Sequence, residues 1–163
     1  MASRPVLAAE ADLARAWPVV LPPMLTYLAA ADWSAPVDPA AAARWLLDGG
    51  RIPFYREPGG TPVIAVLERH PLSAMCRLLV LSPRGPELEG AGEVLGDLVR
   101  FAIRDLGLRR CEWRVLAGWP VARGAAAGLG FREEGRLPEA CFVDGRHDDV
   151  VLTGLLAPEW RAS

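Results

Sequence analysis

The sequence contains no lysine, asparagine or glutamine, and all 18 of its basic residues are arginine. The absence of lysine excludes a lysine Schiff base, a lysine general base and the lysine of a phosphate-binding P-loop. With two histidines and three widely spaced cysteines, the chain has little material for a zinc site, and we expect no bound metal. The net charge of −2 provides no basic surface for a polyanion, so we expect no nucleic-acid partner.

Long apolar runs are also lacking. The stretch from Trp17 to Ala31 is interrupted by three prolines and is too short to span a bilayer, so we expect no membrane association. The N-terminal region reaches acidic residues early and does not have the pattern of a signal peptide. We therefore expect a cytoplasmic protein whose cysteines are reduced. The length suits one domain over residues 1–163, and a hydrophobic content of 52% excludes wholesale disorder.

The local pattern predicts helices, three strands, a helix, a strand, a helix and two final strands. Asp38 is a candidate N-cap for the helix that begins at Pro39, and prolines separate two short helices before it. Asp144-Gly145 favours a hairpin, although with a turn longer than two residues. The predicted segments are Glu10–Ala16, Met24–Ala31, Pro39–Asp48, Ile52–Glu57, Thr61–Glu68, Met75–Ser82, Gly92–Leu106, Arg110–Ala117, a short helix from Pro120, Glu139–Val143 and Val150–Leu156.

This order indicates an α/β (α+β) fold with a mixed, mostly antiparallel sheet flanked by helices. The strand–helix–strand unit from Met75 to Ala117 has to be a parallel crossover, which we expect to be right-handed. The remaining strand pairs are expected to be antiparallel.

The C-terminal half carries a more specific pattern. Leu129-Gly130-Phe131 and Glu134-Gly135 are followed by the hairpin segment DGRHDDVVL and by Pro158-Glu159-Trp160. With the order of elements and the segment LGLRRCEWRV, this pattern resembles the GNAT superfamily of N-acyltransferases, and within it the branch of ribosomal-protein N-terminal acetyltransferases. The resemblance covers roughly Thr61 to Trp160, and it implies the GNAT fold, in which the central parallel strands splay apart.

The resemblance also implies a donor, an acyl-CoA with acetyl-CoA as the default. Its pantetheine arm is expected in a wedge between the strands Arg77–Leu81 and Cys111–Ala117, held by the edge backbone of the first strand. The expected cofactor-binding residues are Leu78, Leu79, Val80 and Leu81 for the arm, Arg84, Gly90, Ala91, Gly92 and Glu93 for the diphosphate, and Trp119 beside the cofactor.

Several positions depart from the family pattern. Glu87 replaces the Gln or Arg of the pyrophosphate loop, and Glu89 adds a second acid. Carboxylates near a phosphate weaken its binding, unless these two point into solvent. Trp119, Ala122 and Ala126 stand where many members have Asn, Ser and Tyr, so the usual proton donors to the leaving thiolate are absent.

Acyl transfer to an amine requires the neutral amine, and therefore a base. His70 and His147 lie in predicted turns, and Glu68 ends a predicted strand; these three are the candidate catalytic residues. Asp149 matches the hairpin Asp of the family and is expected either to hold the hairpin or to contact the acceptor. Tyr27 and Trp33 are expected to wall the acceptor side, which N-terminal helices usually cover in this family.

Three functions stay open at this point. The first is N-acyl transfer from acyl-CoA to a primary amine of a small molecule or peptide. The second uses an acyl or aminoacyl group on the phosphopantetheine of an acyl carrier protein, for which a degenerate pyrophosphate loop would cost little. The third is a catalytically inactive GNAT-fold binding module. A homodimer is compatible with each of them.

Overall fold

The computed structural model describes residues 7–87 and 90–161. A six-stranded sheet forms its centre, and two pairs of helices cover the two faces. The helices are α1 (Glu10–Ala30), α2 (Pro39–Leu46), α3 (Ala91–Arg100) and α4 (Pro120–Leu129). The strands are β1 (Arg51–Arg56), β2 (Val63–Arg69), β3 (Met75–Leu81), β4 (Arg110–Leu116), β5 (Arg132–Val143) and β6 (Arg146–Leu156).

The strand order is β1-β2-β3-β4-β6-β5. Within the described residues, β3 and β4 form the one parallel pair, joined through α3, and every other neighbouring pair is antiparallel. The predicted α/β fold with a mixed, mostly antiparallel sheet is therefore confirmed. In the described part of the chain, no helix is both long enough and apolar enough to cross a membrane.

The parallel strands separate halfway along their length. Their pairing runs from Met75–Arg110 to Leu78–Trp113 and stops there. Beyond that point β3 remains paired with β2 alone, and β4 with β6 alone. The gap between residues 79–81 of β3 and residues 114–116 of β4 is called the wedge below, with its vertex at Leu78 and Trp113.

The two faces of the sheet hold separate cores. Side chains alternate along each strand, so Leu78 and Trp113 pack toward α3 and α4, whereas Leu79 and Leu116 pack toward α1 and α2. The second side is called the α1 face below. The same alternation places Glu112 and Arg114 on the α1 face, where the helices do not fully cover them.

The N-terminal helix differs from the prediction. Two short helices separated by prolines were expected, but α1 runs unbroken through Pro18, Pro22 and Pro23. All three prolines lie on its exposed side, where the carbonyls that lose a hydrogen-bond donor face water. Each internal proline costs about 3 kcal/mol, but each large apolar side chain buried on the opposite side returns about 1.5–3 kcal/mol. The buried residues are Leu13, Ala16, Trp17, Val20, Leu21, Met24, Tyr27 and Leu28.

Of the other local predictions, the cap of α2 is confirmed, whereas the expected length of the hairpin turn and the expected start of its first strand are wrong. Asp38 caps α2 as expected, because its Oδ1 accepts a hydrogen bond from the Ala41 N–H at 2.7 Å. The hairpin turn is shorter than expected: Asp144 and Gly145 alone connect β5 to β6, with φ of 51° and 77°. Two left-handed residues are typical of a type I′ turn, which matches the twist of the strands. Strand β5 begins at Arg132, earlier than predicted, and is bulged between Leu137 and Cys141.

The three cysteines are free and buried, as expected for reduced thiols. Cys76 and Cys111 are register partners in the paired part of β3 and β4, with 3.6 Å between their sulfur atoms. The hydrogen bond with the Cys111 thiol, together with burial, raises the pKa of Cys76. The thiols therefore belong to the closed end of the parallel pair.

Candidate functional site

A cavity of about 270 Å³ lies on the α1 face beside the vertex of the wedge. Its lining includes the vertex residues themselves, Leu78 and Trp113, and Trp33 from the segment after α1. It also contains four charged side chains, which belong to the neighbouring strands β3 and β4 and to the outer strand β5. These are Arg77, Glu112, Arg114 and Glu134.

One arginine organises the two carboxylates of this cavity. Arg110 Nε donates to Glu112 Oε1 at 2.9 Å, and its Nη1 donates to Glu134 Oε1 at 2.8 Å. The hydrogen bonds from Arg110 hold the pKa of Glu134 below its usual value. A Cβ at position 154 would overlap the Glu134 carboxylate, so Gly154 provides the space through which Glu134 reaches Arg110. The second oxygen of Glu112 has no hydrogen-bond donor among the described residues.

Glu68 is held by two arginines. Its Oε2 accepts from Arg77 Nε at 3.0 Å, and its Oε1 lies 3.2 Å from Arg51. Arg77 in turn stacks over the Trp33 ring at 4.9 Å. Glu68 therefore fixes the Arg77 wall of the cavity, and both of its oxygens are already occupied.

Tyr27 reaches the wedge from α1. Its hydroxyl donates a hydrogen bond to the carbonyl of Arg114, in the unpaired part of the wedge. The side chain is fully buried, and this burial raises its pKa, so the hydroxyl remains a donor. Tyr27 thus supports the wedge from beneath and does not line the cavity, whereas Trp33 does.

Trp119 crosses the mouth of the wedge. It follows β4, and its ring lies 4.7 Å from the Tyr27 ring, centroid to centroid. A Cβ built on Gly85, in the turn after β3, would be 3.1 Å from the indole and 3.5 Å from the Met24 sulfur. The indole therefore touches both sides of the wedge and packs against both cores.

Glu87 does not occupy the position expected for it. Its carboxylate accepts hydrogen bonds from the backbone N–H groups of Val121 at 3.2 Å and Ala122 at 2.9 Å. These are unpaired groups of the first turn of α4, so Glu87 caps that helix. The second acid, Glu89, lies outside the described residues.

The start of α3, after the loop that follows β3, presents open backbone donors. Gly90 has a left-handed conformation with φ of 88°, and the N–H groups of Glu93 and Val94 bond back to its carbonyl. The N–H groups of Ala91 and Gly92 have no acceptor among the described residues. Helix N-termini of this kind bind phosphate oxygens. Exposed Arg84 precedes them in the same loop, where its N–H bonds to Ser82 Oγ at 3.2 Å.

The three expected catalytic residues do not meet. His70 lies in the exposed turn before β3, and its N–H bonds to Met75 O at 3.0 Å. From Met75 the vertex at Leu78 is about 10 Å further along the strand. His147 is exposed beside the hairpin turn, its ring 5.1 Å from Phe142. Neither histidine lines the cavity.

Asp149 holds the bulge of β5. It accepts from the Glu139 N–H at 2.9 Å and from Arg136 at 3.3 Å, and both bonds lower its pKa. Glu139 has φ of 50° in this bulge, so Asp149 supports an unusual backbone conformation. Asp149 was expected either to hold the hairpin or to contact the acceptor, and these contacts fit the first role.

The charged cavity residues Glu112, Arg114 and Glu134 were not predicted from the sequence as site residues. The signal was the alternation along β4. If Trp113 faces one core, Glu112 and Arg114 face the other side of the sheet. That pattern alone does not show whether the other side is solvent or a cavity beneath a helix.

No protein-family model matches the chain. YdaF of Bacillus subtilis (strain 168), described as a candidate ribosomal N-acetyltransferase, is 32% identical over 78 residues, which are 46% of this chain and 43% of that protein. The chain thus matches less than half the length of this relative.

Two solved structures share the fold over nearly the whole chain. The first is spermidine N-acetyltransferase from Vibrio cholerae in complex with CoA and spermine, at a TM-score of 0.73 and 17% identity, covering 94% of this chain and 95% of that one. The second is a candidate phosphinothricin N-acetyltransferase, at a TM-score of 0.71 and 19% identity, covering 93% and 96%. The similarity establishes the common fold of these proteins for this chain.

Proposed function

From the premise that this chain has the GNAT fold, we propose that it is an N-acyltransferase that moves an acyl group from acyl-CoA to a primary amine of a small molecule. One observation carries the proposal. The vertex of the wedge borders a cavity that contains carboxylates, and α3, which follows the strand on one side of the wedge, begins with open backbone N–H groups. A thioester arm in the wedge would bring its carbonyl to the vertex, beside an amine held in the cavity.

The residues at the wedge mouth suit a CoA donor. The edge of β3 from Leu79 to Leu81 has no partner strand on the side facing β4, so its backbone is free to bind the amides of the arm. The open N–H groups of Ala91 and Gly92 suit the diphosphate, and Arg84 adds a positive charge. Glu87 is turned to α4, which removes the main reason to prefer a carrier-bound donor.

Glu112 is the base in this proposal. One of its oxygens is fixed by Arg110, and the other has no donor among the described residues. That oxygen takes the proton from the bound ammonium group. The neutral amine then attacks the thioester carbonyl, and a C–N bond forms. As the C–S bond breaks, the nitrogen gives its second proton to the leaving sulfur, which departs as the free thiol. Glu134, whose two oxygens are both bonded to Arg110, contributes fixed negative charge near the amine.

The vertex offers the geometry for this step. The cavity and the wedge both border Leu78 and Trp113, so a donor arm in the wedge and an acceptor in the cavity would meet at these two residues. Holding both reactants at one point converts a bimolecular step into an effectively unimolecular one.

A second candidate rests on Trp119. Its indole closes the mouth of the wedge and replaces the Asn that many similar proteins carry there. If the indole remains in place, no arm can enter, and the protein is a GNAT-fold binding module without catalysis.

The test combines calorimetric titration with acetyl-CoA and a turnover assay on a panel of amines. We expect micromolar to millimolar binding and release of free CoA thiol. The variant Glu112→Gln should lower kcat by about 10²–10⁴-fold while leaving the Kd for acetyl-CoA unchanged. Glu10→Gln, an exposed carboxylate at the start of α1, is the matched control and should change nothing.

The outcomes separate the alternatives. Absence of acetyl-CoA binding, together with absence of turnover of any amine, would favour the inactive module whose wedge is closed by Trp119. Consumption of an acylated carrier protein, with free acyl-CoA left untouched, would show the carrier-dependent version instead. Full activity in Glu112→Gln would contradict the assignment of the base.

A further inference from the structure

Arg114 is the one cavity arginine whose guanidinium has no carboxylate partner among the described residues. Arg77 is paired with Glu68, and Arg110 is paired with Glu112 and Glu134. A partly buried guanidinium with five donors gains most from a planar anion that accepts two of them. The cavity therefore contains a positive charge that a ligand can complete.

The negative charge of the cavity lies at Glu112 and Glu134, on the side of Arg110 and away from the Arg114 guanidinium. Arg110 alone serves two carboxylates, Glu112 and Glu134, so one negative charge on that side is not neutralised. Glu112 and Arg114 point to the same face of β4 and are two residues apart, which places their Cα atoms about 7 Å from each other. The wall of the cavity is thus dipolar over a short distance.

We infer that the acceptor is a zwitterion, a primary amine that carries a carboxylate or a similar anionic group one or two carbons away, as an amino acid does. This inference rests on the proposed function. The ammonium group binds at Glu112, next to the vertex, and the anion binds the Arg114 guanidinium. The Trp33 ring provides an apolar wall for the side chain of such an acceptor.

A polyamine is the contrasting acceptor. Its second cation would lie within the reach of Arg114 or Arg77, where like charges repel. Its extra ammonium group would also find no carboxylate in the cavity that is free of arginine contacts. Discrimination by Arg114 therefore acts through binding of the acceptor and not through the chemistry at the vertex.

The experiment compares kcat/KM for three kinds of amine with acetyl-CoA as donor: free L-amino acids, the corresponding amino acid amides, and spermidine. An amide keeps the amine and the side chain but has no negative charge. We expect free amino acids to exceed their amides by at least 10-fold, mostly through KM, and to exceed spermidine as well. Arg114→Gln should reduce the ratio of amino acid to amide toward one, and Arg114→Lys should recover part of it.

Arg44→Gln is the matched control, because Arg44 is exposed on α2 and makes no ion pair with a described residue. It should leave the ratio unchanged. A preference of the unsubstituted protein for amides or spermidine would overturn the inference and leave N-acyl transfer standing. An amino acid preference that survives Arg114→Gln would overturn it too. Absence of turnover with every amine would refute the proposed function, and the inference with it.

Discussion

The contact between Glu87 and α4 leads to a prediction with two measurable parts. Glu87→Ala removes a carboxylate that accepts two N–H groups in the first turn of the helix. Loss of a helix cap costs about 0.5–2 kcal/mol, and the negative charge beside the helix N-terminus adds about 0.3–1 kcal/mol. We expect Glu87→Ala to lower the free energy of unfolding by about 1–2 kcal/mol. Glu87→Gln retains one acceptor oxygen and should lower it by less.

Urea denaturation and calorimetry measure this part. For a chain of this length each 1 kcal/mol corresponds to a Tm change of about 2–4 °C. The expected decrease for Glu87→Ala is therefore about 2–8 °C. The control is Glu139→Gln, because the exposed Glu139 side chain is far from any helix N-terminus in sequence and makes no ion pair with a described residue; its Tm should stay within about 1 °C of the parent.

The second part concerns CoA. A carboxylate about 6 Å from a phosphate would oppose binding by about 3 kcal/mol at an effective dielectric constant of 20, close to 100-fold in Kd. Because Glu87 is held at α4, we expect Glu87→Gln to change the Kd for CoA by less than about threefold. An unchanged stability together with CoA binding about 100-fold tighter would refute the reasoning, since it would show that the carboxylate faces the phosphates.

Two further predictions concern Tyr27 and Glu134. Tyr27→Phe leaves the partly buried Arg114 carbonyl without its donor and should cost about 1–3 kcal/mol in urea unfolding; an unchanged midpoint would mean that the bond contributes nothing. The pKa of Glu134 is lowered in the folded state, so its pairing with Arg110 stabilises the protein above the normal pKa of about 4.5 and is lost as the pH falls below it. In Glu134→Gln the loss of stability on acidification should be smaller, and an identical pH profile would contradict the pairing.

The elements that could be predicted were those fixed by local rules. Alternation and turn residues predicted the three-strand meander, and Asp38 with Pro39 predicted the start of α2. The pattern of the C-terminal half, through its resemblance to a family, predicted that the parallel strands would part. The strands do part, beyond Leu78 and Trp113.

What could not be predicted depends on partners far along the chain. The prolines of α1 locally favour two separate helices. A single continuous helix forms because its opposite side is buried in the core. Glu87 finds its donors at Val121 and Ala122, which no local pattern connects to it. In the sequence, the carboxylates of the cavity resemble ordinary surface residues of strands. They line a cavity only because the segment after α1 packs beside them in the fold.

The hydrogen bond from Tyr27 has a mechanical consequence. It fastens the first helix to the strand that forms one side of the donor slot, and Ala31 and Trp33, just after that helix, form part of the acceptor wall. An arm that pushes the Arg114 carbonyl aside must therefore carry the helix with it or break the bond. Binding of the donor in the wedge would therefore move the residues that form the acceptor wall of the cavity. The donor is expected to bind first, because its binding sets the shape of the cavity that receives the amine.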